Sequence, residues 1–414
     1  MSTLSQIISA GGGTVDVGGA TFFPTPIPTN PTIGGKEYLR TGTLKTFSNT
    51  YSEFTDLSVL FGHWESSFYN TNWRNSSSGT PVNLVFANNI YYYVYSTVPN
   101  KIIRGTNLNA DPDATNDYPT NEAVRDAIGF NNLIVLSGYN TSTGNVVIRN
   151  STGNGVFNLS VNATVSGSSS GLDFVAASNN LVVIAAAAMT TSTGKIYTST
   201  DGTNFTARSG PSSMSALNVR RFFWSPVANA FFYITDAGRI FTTTDGFTVT
   251  ERTAPSGMPT SISMASYGNR NAIASSSTAT VAAVGSNKLL RITGLTDYSI
   301  VDLTSLSNAG SLSSSDSVGS VIYDGSNFIF ANAVSTDNGV NWTAKFSVVA
   351  PNAGSVSTAF RAFANNQVIM GVTILSEARL LNMTGYGAAN TPTLMGTTTA
   401  ATFSGSLPAY WRIK

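Results

Sequence analysis

The 414-residue chain contains no cysteine, so it has neither a disulfide framework nor a thiolate metal site, and packing and ladder hydrogen bonds must supply its stability. Charge is scarce as well. Asp, Glu, Lys and Arg make up 10% of the residues and the formal net charge is +1, which excludes the concentrated basic field that nucleic acid demands. Histidine occurs once, as His63 beside Trp64; multi-histidine metal sites are excluded, and a lone histidine more often packs or hydrogen-bonds than acts as a general base. No run approaches the roughly 18 apolar residues of a membrane helix, and the longest, Leu181 to Met189, reads as a buried strand. The opening Met1-Ser2-Thr3-Leu4-Ser5-Gln6 has no basic n-region and no long apolar h-region, so synthesis in a cytoplasm without a secretory signal is expected.

Apolar residues make up 42% of the chain, enough for a real core. Ser, Thr, Asn and Gly take the polar positions that charge leaves empty, giving a neutral, hydrogen-bonding surface suited to tight β-turns and to hydroxyl-rich or protein partners. One such turn is Ser335-Thr336-Asp337-Asn338-Gly339-Val340-Asn341-Trp342. Its Asp carboxylate can fold back onto nearby backbone N–H groups, its Gly accepts a positive φ, and its aromatic anchors the loop between sheets. With Ser335, Asp337, Gly339 and Trp342 in the defining positions, the stretch resembles the Asp-box, the S-x-D-x-G-x-x-W hairpin turn of sialidase-like and related β-propellers. The resemblance implies a structural clamp at the edge of a propeller blade. Ser199, Asp201, Gly202 and Phe205 form a weaker copy, and Thr243, Asp245 and Gly246 another; both lack one residue between Asp and Gly.

Each copy closes the same unit: an Asn-rich or Gly-Ser turn, an apolar strand, a gap and a second strand. On that template, units begin near Asn88, Asn131, Asn179, Asn229, Thr278, Gly325 and Asn365, at spacings of about 40 to 50 residues, the period of four-stranded blades. A ring absorbs this length as one domain, because each blade extends it. The expected fold is all-β, a seven-bladed β-propeller with an extended N-terminal arm.

Residues 1–32 read as a docking arm and linker. Residues 3–10 form either one short helix ending at Gly11-Gly12-Gly13 or a frayed terminus, and Pro24, Pro26, Pro28 and Pro31 favour an extended spacer. Residues 33–87 lead into the ring and contribute closing strands, one of them within Tyr38 to Phe47. Blades occupy 88–387, with Asn121 to Ile128 expected as a short helical excursion. Residues 388–414 form a linker and a final strand whose Tyr410, Trp411 and Ile413 pair in the ring or in a partner. The order of arm, Pro-rich linker and β-domain resembles the N-terminal layout of tailed-phage fibre proteins.

The chemical candidates are few. A sialidase-like hydrolase needs an arginine triad, a tyrosine with a glutamate partner and an acidic residue; the arginines, among them Arg104, Arg149, Arg220, Arg221 and Arg239, stand in no local triad motif. A paired-carboxylate glycosidase needs only spatial proximity, which sequence does not display. Asp111, Asp113, Asp117 and Glu122 lack EF-hand spacing and read as a solvated loop. No metal and no cofactor is expected. Tyr69, Trp73, Tyr91, Tyr93 and Tyr95 offer faces on which sugar rings stack, unless they pack between blades instead.

A surface of extracellular character made without an export signal fits a virus particle, whose proteins are made inside the host and work outside it. The expected function is a non-enzymatic structural or receptor-binding component of a bacteriophage virion, in the tail or a tail fibre. It would dock on other virion proteins through residues 1–32, form a homo-oligomer within the particle, and display the ring to a host-surface glycan or protein, without nucleic acid or membrane insertion. The alternatives are a glycan hydrolase on the same scaffold and a purely architectural capsid or tail protein.

Overall fold

Runs of Val, Ile, Phe, Tyr and Ala bounded by Asn, Gly and Ser impose strands throughout. The computed structural model describes residues 20–22, 32–33, 36–41, 65–68, 73, 81–95, 101–117, 119, 121–153, 155–163, 172–262, 272–285, 287–308, 320–330, 333–344, 356–365, 367–374, 377–384 and 409–412. Apart from a short helix at Thr304–Asn308 and a 3-10 turn at Ser212–Met214, their regular structure is strand. The helix expected over residues 3–10 lies outside the described residues, as do His63 and Tyr69.

The chain divides into two compact units: Phe68–Ala344 with Gly354–Asn382, and Met1–Ser67 with Lys345–Ala353 and Met383–Lys414. The early strands are β1 (Ala20–Phe22), β2 (Thr32–Ile33), β3 (Lys36–Thr41) and β4 (Glu65–Phe68). Six four-stranded antiparallel blades follow, each built of consecutive strands. Blade I holds β5 (Pro81–Ala87), β6 (Ile90–Tyr95), β7 (Lys101–Gly105) and β8 (Ala114–Asp117), and blade II β9 (Glu122–Phe130), β10 (Leu133–Asn140), β11 (Val146–Ser151) and β12 (Asn158–Ala163). Blade III holds β13 (Leu172–Ala177), β14 (Val182–Ala186), β15 (Thr193–Ser199) and β16 (Thr206–Ser209), and blade IV β17 (Val219–Ser225), β18 (Ala230–Thr235), β19 (Ile240–Thr243) and β20 (Thr250–Arg252). Blade V holds β21 (Ile273–Ser275), β22 (Thr280–Ala283), β23 (Lys288–Ile292) and β24 (Tyr298–Asp302), and blade VI β25 (Val321–Tyr323), β26 (Phe328–Phe330), β27 (Ala333–Ser335) and β28 (Thr343–Ala344). A further run, β29 (Val356–Ala364), β30 (Gln367–Ile374) and β31 (Glu377–Thr384), pairs in that order. The last strand, β32 (Ala409–Arg412), lies in the smaller unit between β1 and β3, with Trp411 opposite Ala20 and Leu39.

Three expectations change. Six blades of consecutive strands stand where seven were expected. The ring begins at Pro81, before the expected boundary at 88, because β5 pairs with β6 through the Asn88-Asn89 turn. Asn121 to Ile128 is not helical: nearly all of it is β9, whose paired, largely buried residues make a strand of it. The unit starts read from sequence fall at the first hairpin of each sheet, where Asn88, Asn89, Asn131, Asn132, Asn229 and Asn365 take positive φ, a conformation that tight hairpin turns use and Asn tolerates.

The core lies between sheets. Val85, Tyr92 and Val94 of blade I meet Val124, Ile134 and Leu136 of blade II, and equivalent apolar layers join each later blade to the next. Ile369 of β30 packs with Leu84, Tyr91 and Tyr93 of blade I. Strands buried on both faces read as continuous apolar runs, and β14 and β18 are buried at every position. Each large side chain so placed contributes about 1.5–3 kcal/mol. First strands of neighbouring sheets lie against one another from β5 through β9 and β13 to β17 and from β21 to β25, β29 lies against both β25 and β5, and Phe223 of β17 packs with Ile273 of β21. These first strands therefore surround the axis.

Candidate functional site

The Asp-centred turns connect the third and fourth strands of blades III, IV and VI, at the periphery. In each, the hydroxyl of Ser199, Thr243 or Ser335 donates to the following Asp carboxylate at 2.7–2.8 Å. The same hydroxyl accepts the N–H of Gly202, Gly246 or Gly339 at 2.9–3.0 Å. The carboxylate accepts further backbone N–H groups: Thr203 and Asn204 on Asp201, Phe247 and Thr248 on Asp245, and Asn341 on Asp337. Hydrogen bonds from Asn204, Thr203 and Ser199 hold the Asp201 carboxyl well below the usual carboxylate range. Burial alone would raise Asp245 and Asp337, but bonds from Thr248, Phe247 and Thr243, and from Asn341 and Ser335, outweigh it and lower both.

These turns fasten each blade to its predecessor. Phe205, Phe247 and Trp342 pack into the layer shared with the preceding blade. Gly246, at φ +89°, leaves no room for a side chain: a Cβ there would stand 2.6 Å from Cγ2 of Val183. Gly339 sits the same way, 2.7 Å from Val281 Cγ2, and Gly202 lies less tightly, 3.1 and 3.2 Å from Phe130 and Leu133. On this face Asn88 also donates to Thr152 O at 3.0 Å, and Arg291 to Asn338 O at 2.7 Å, each bond crossing to the next blade.

The axis is organised by a device that no local motif announces. The pairing of first and second strands shifts register at Val82 of β5, Arg125 of β9, Asp173 of β13 and Arg220 of β17, leaving each residue unpaired in a bulge. Bulges re-aim side chains. Gly138 stands across from the Arg125 bulge, where a Cβ would come within 1.9 Å of Ala123 O, so only glycine fits. The residue after the bulge bonds the next blade in three cases: Asn83 donates to Ala127 O at 3.4 Å, Asp126 accepts the Val175 N–H at 3.0 Å, and Arg221 donates to Ala283 O at 2.9 Å. Burial and neighbouring Arg220 push Arg221 down to about 10, still charged at neutral pH.

The bulged residues form a charged row, Arg125, Asp173, Arg220. Arg125 Nε lies 3.8 Å from Asp173 Oδ1, its guanidinium carbon 4.9 Å from the centre of the Tyr139 ring. Arg220 Nη2 lies 3.8 Å from Asp236 Oδ2, which accepts from Asn218 at 3.0 Å. Asp173 accepts the Ala187 N–H at 3.0 Å, and burial raises its carboxyl despite that bond and the nearby Arg125 and Lys195. Lys195 is fully buried, its Nζ has no hydrogen-bond partner, and burial lowers its pKa against the pull of Asp173. Further along the same strands, a cavity of about 340 Å³ is lined by Ile128, Val175, Phe222, Phe223, Trp224 and Ile273, among others. Four adjacent first strands contribute to it.

The four expected stacking aromatics among the described residues are not available to a sugar. Trp73, Tyr91, Tyr93 and Tyr95 are at most 3% exposed; Tyr91, Tyr93 and Tyr95 pack beneath the first blade with Leu84 and Ile103, and Trp73 donates to Ala110 O at 2.8 Å. Two-sided burial took the whole strand inside. Arg125, Asp173 and Lys195 were missed, because a bulge is a register property that period-two reading does not reveal.

The geometry is that of a β-propeller, with fastening turns on its outer edge and a charged row and an apolar cavity on its innermost strands. No family model and no curated protein matches the chain. Among solved structures, YCF48 bound to D1 peptide matches with a TM-score of 0.52 at 13% identity, over 77% of this chain and 94% of its own. YCF48 from Cyanidioschyzon merolae gives 0.48 at 13% identity, over 77% and 98%. The Pan2 WD40 domain of Neurospora crassa gives 0.46 at 9%, over 77% and 94%. At these identities the likeness concerns the fold alone.

Proposed function

We propose that this chain is a non-enzymatic recognition propeller: a bacteriophage virion protein of the tail or a tail fibre, docked on other virion proteins through residues 1–32 and presenting its ring to a host-surface receptor. The observation that carries the recognition reading is the axial cavity of about 340 Å³ on four rigidly fastened first strands, the concave apolar setting in which ligands are held. The low charge, the Pro-rich stretch from Pro24 to Pro31 and the Asp-box resemblance of Ser335 to Trp342 support the virion reading. YCF48, a propeller of similar fold, has been solved with a peptide bound. We take β29–β31 as the core of a seventh blade, because β29 stands between β25 and β5.

A second reading, a glycan hydrolase, draws on the gathering of Arg125, Arg220, Tyr139, Asp173 and Asp236 at one end of the first strands. Incubating purified full-length protein with intact cells and extracted surface glycans of candidate hosts, and assaying released sugars in the same samples, separates the two. Binding without sugar release is expected. Release of sugar puts the hydrolase first, and neither binding nor release points to an architectural role.

A further inference from the structure

The charged row and the apolar cavity lie on the same first strands. From Arg125 to Ile128 is three residues and from Arg220 to Trp224 four, about 10–13 Å at the rise of a strand. An extended polypeptide covers that distance in three or four residues of its own. Arg125 and Arg220 occupy equivalent bulges on β9 and β17, the two strands that lie against the β13 strand of Asp173. Both guanidiniums are partly exposed, at 45% and 29%, and both face their carboxylates at 3.8 Å, beyond hydrogen-bonding distance. They are free to tighten on a better-placed acceptor. The buried Lys195, whose Nζ has no hydrogen-bond partner, also acts on the Asp173 carboxylate.

We infer that the row of Arg125, Asp173 and Arg220 is a receptor subsite for a polypeptide carboxylate, drawn to the two guanidiniums in competition with Asp173 at Arg125 and Asp236 at Arg220, while an apolar side chain of the same segment enters the axial cavity. Resting on the recognition reading above, this names its ligand class. The cavity favours an apolar side chain: Ile128, Val175, Phe222, Phe223 and Ile273 present hydrocarbon between the polar backbone edges of the first strands, and among the described lining residues Ser275 alone carries a side-chain hydroxyl. Sugar hydroxyls set over those hydrocarbon side chains would lose hydrogen bonds to water, replaced only where backbone groups or Ser275 reach them.

The test uses the full-length chain and fluorescence anisotropy. The probes are fluorescein-labelled decapeptide pools carrying one glutamate and one phenylalanine three residues apart, the same pools with glutamine for glutamate, and labelled oligogalacturonate as an acidic glycan. The glutamate pool is expected to bind about tenfold more tightly than the glutamine pool, the scale of a charge-assisted contact. Arg125→Ala and Arg220→Ala, checked for folding by near-ultraviolet circular dichroism, each abolish that preference. Asp173→Asn keeps an acceptor for the Ala187 N–H and removes the competing charge, so it tightens the glutamate pool and leaves the glutamine pool unchanged, a gain that misfolding does not mimic. Equal binding of both pools, indifference to both arginine variants, or arginine-dependent binding of oligogalacturonate alone overturns the inference. On host cells, wild-type and Arg125→Ala/Arg220→Ala proteins binding equally defeats this subsite and spares the recognition reading; no cell binding by wild type defeats that reading itself.

Discussion

Replacing Gly246 by Ala tests the idea that the peripheral turns hold the blades together. Its backbone is fixed at φ +89° by the Gly246 N–H bond to Thr243 Oγ1 at 3.0 Å and by the Tyr233 hydroxyl, which donates to Gly246 O at 2.6 Å. An L side chain in this region costs about 1–2 kcal/mol. The new methyl would also stand 2.6 and 2.8 Å from the two Cγ atoms of Val183. Val183 is fully buried in the layer between blades III and IV and stiff at χ1, so overpacking adds about 1–3 kcal/mol. Gly144 is the internal control: its φ is +72° but nothing lies within 4 Å of a Cβ, so Gly144→Ala carries the backbone contribution alone. Urea midpoints with parallel slopes should place Gly246→Ala below Gly144→Ala by about 1–3 kcal/mol. In a double-mutant cycle, Val183→Ala should cost less in the Gly246→Ala background than in wild type. Equal effects of the two alanines, with additive behaviour at Val183, refute the interlocking of turn and blade.

Arg149 pairs with buried Glu122 through two bonds of 2.7 and 2.8 Å and also donates to Phe157 O; Arg149→Met strands the carboxylate and should destabilise by about 3–5 kcal/mol, an effect under about 1 kcal/mol contradicting the pair's buried role. Lys195→Met removes an ammonium with no hydrogen-bond partner and should raise the urea midpoint or leave it unchanged; a clear fall shows that the ammonium is satisfied in solution. The carboxyls of Asp201, Asp245 and Asp337 are all lowered by folding, so their stabilisation is complete above the unfolded value of about 4 and is lost as pH falls through the folded values. Melting temperature should drop progressively below about pH 4, and the drop should be shallower in Asp201→Asn and Asp337→Asn; an acid limb unchanged by both excludes these turns as its source.

The propeller was legible because its repeat is written in turns. Asn88, Asn131 and Asn229 take the positive φ that their hairpins need, and a hydroxyl with Asp and Gly marks the turns at 199–202, 243–246 and 335–339, where the bonding is local. Beyond neighbouring residues, legibility fell away. Tyr91, Tyr93 and Tyr95 alternate as an amphipathic strand would, yet β6 is buried on both faces, and only the neighbouring blade decides that. The segment from Asn121 to Ile128 lacks clean alternation because Arg125 is extruded in a bulge, shifting the pairing by one residue. The axial row depends on that same shift repeating at Asp173 and Arg220, a property of pairing between strands and not of either strand's sequence.

The central claim, recognition at the ring axis, is tested most directly by hydrogen exchange of the full-length protein, alone and bound to surface extract of a host cell it adheres to. The account predicts new protection in peptides spanning Arg125 to Phe130, Asp173 to Ala177 and Arg220 to Ser225, with the turns at Asp201, Asp245 and Asp337 unchanged. Protection confined to those peripheral turns, with the first strands exchanging as in the free protein, would contradict it.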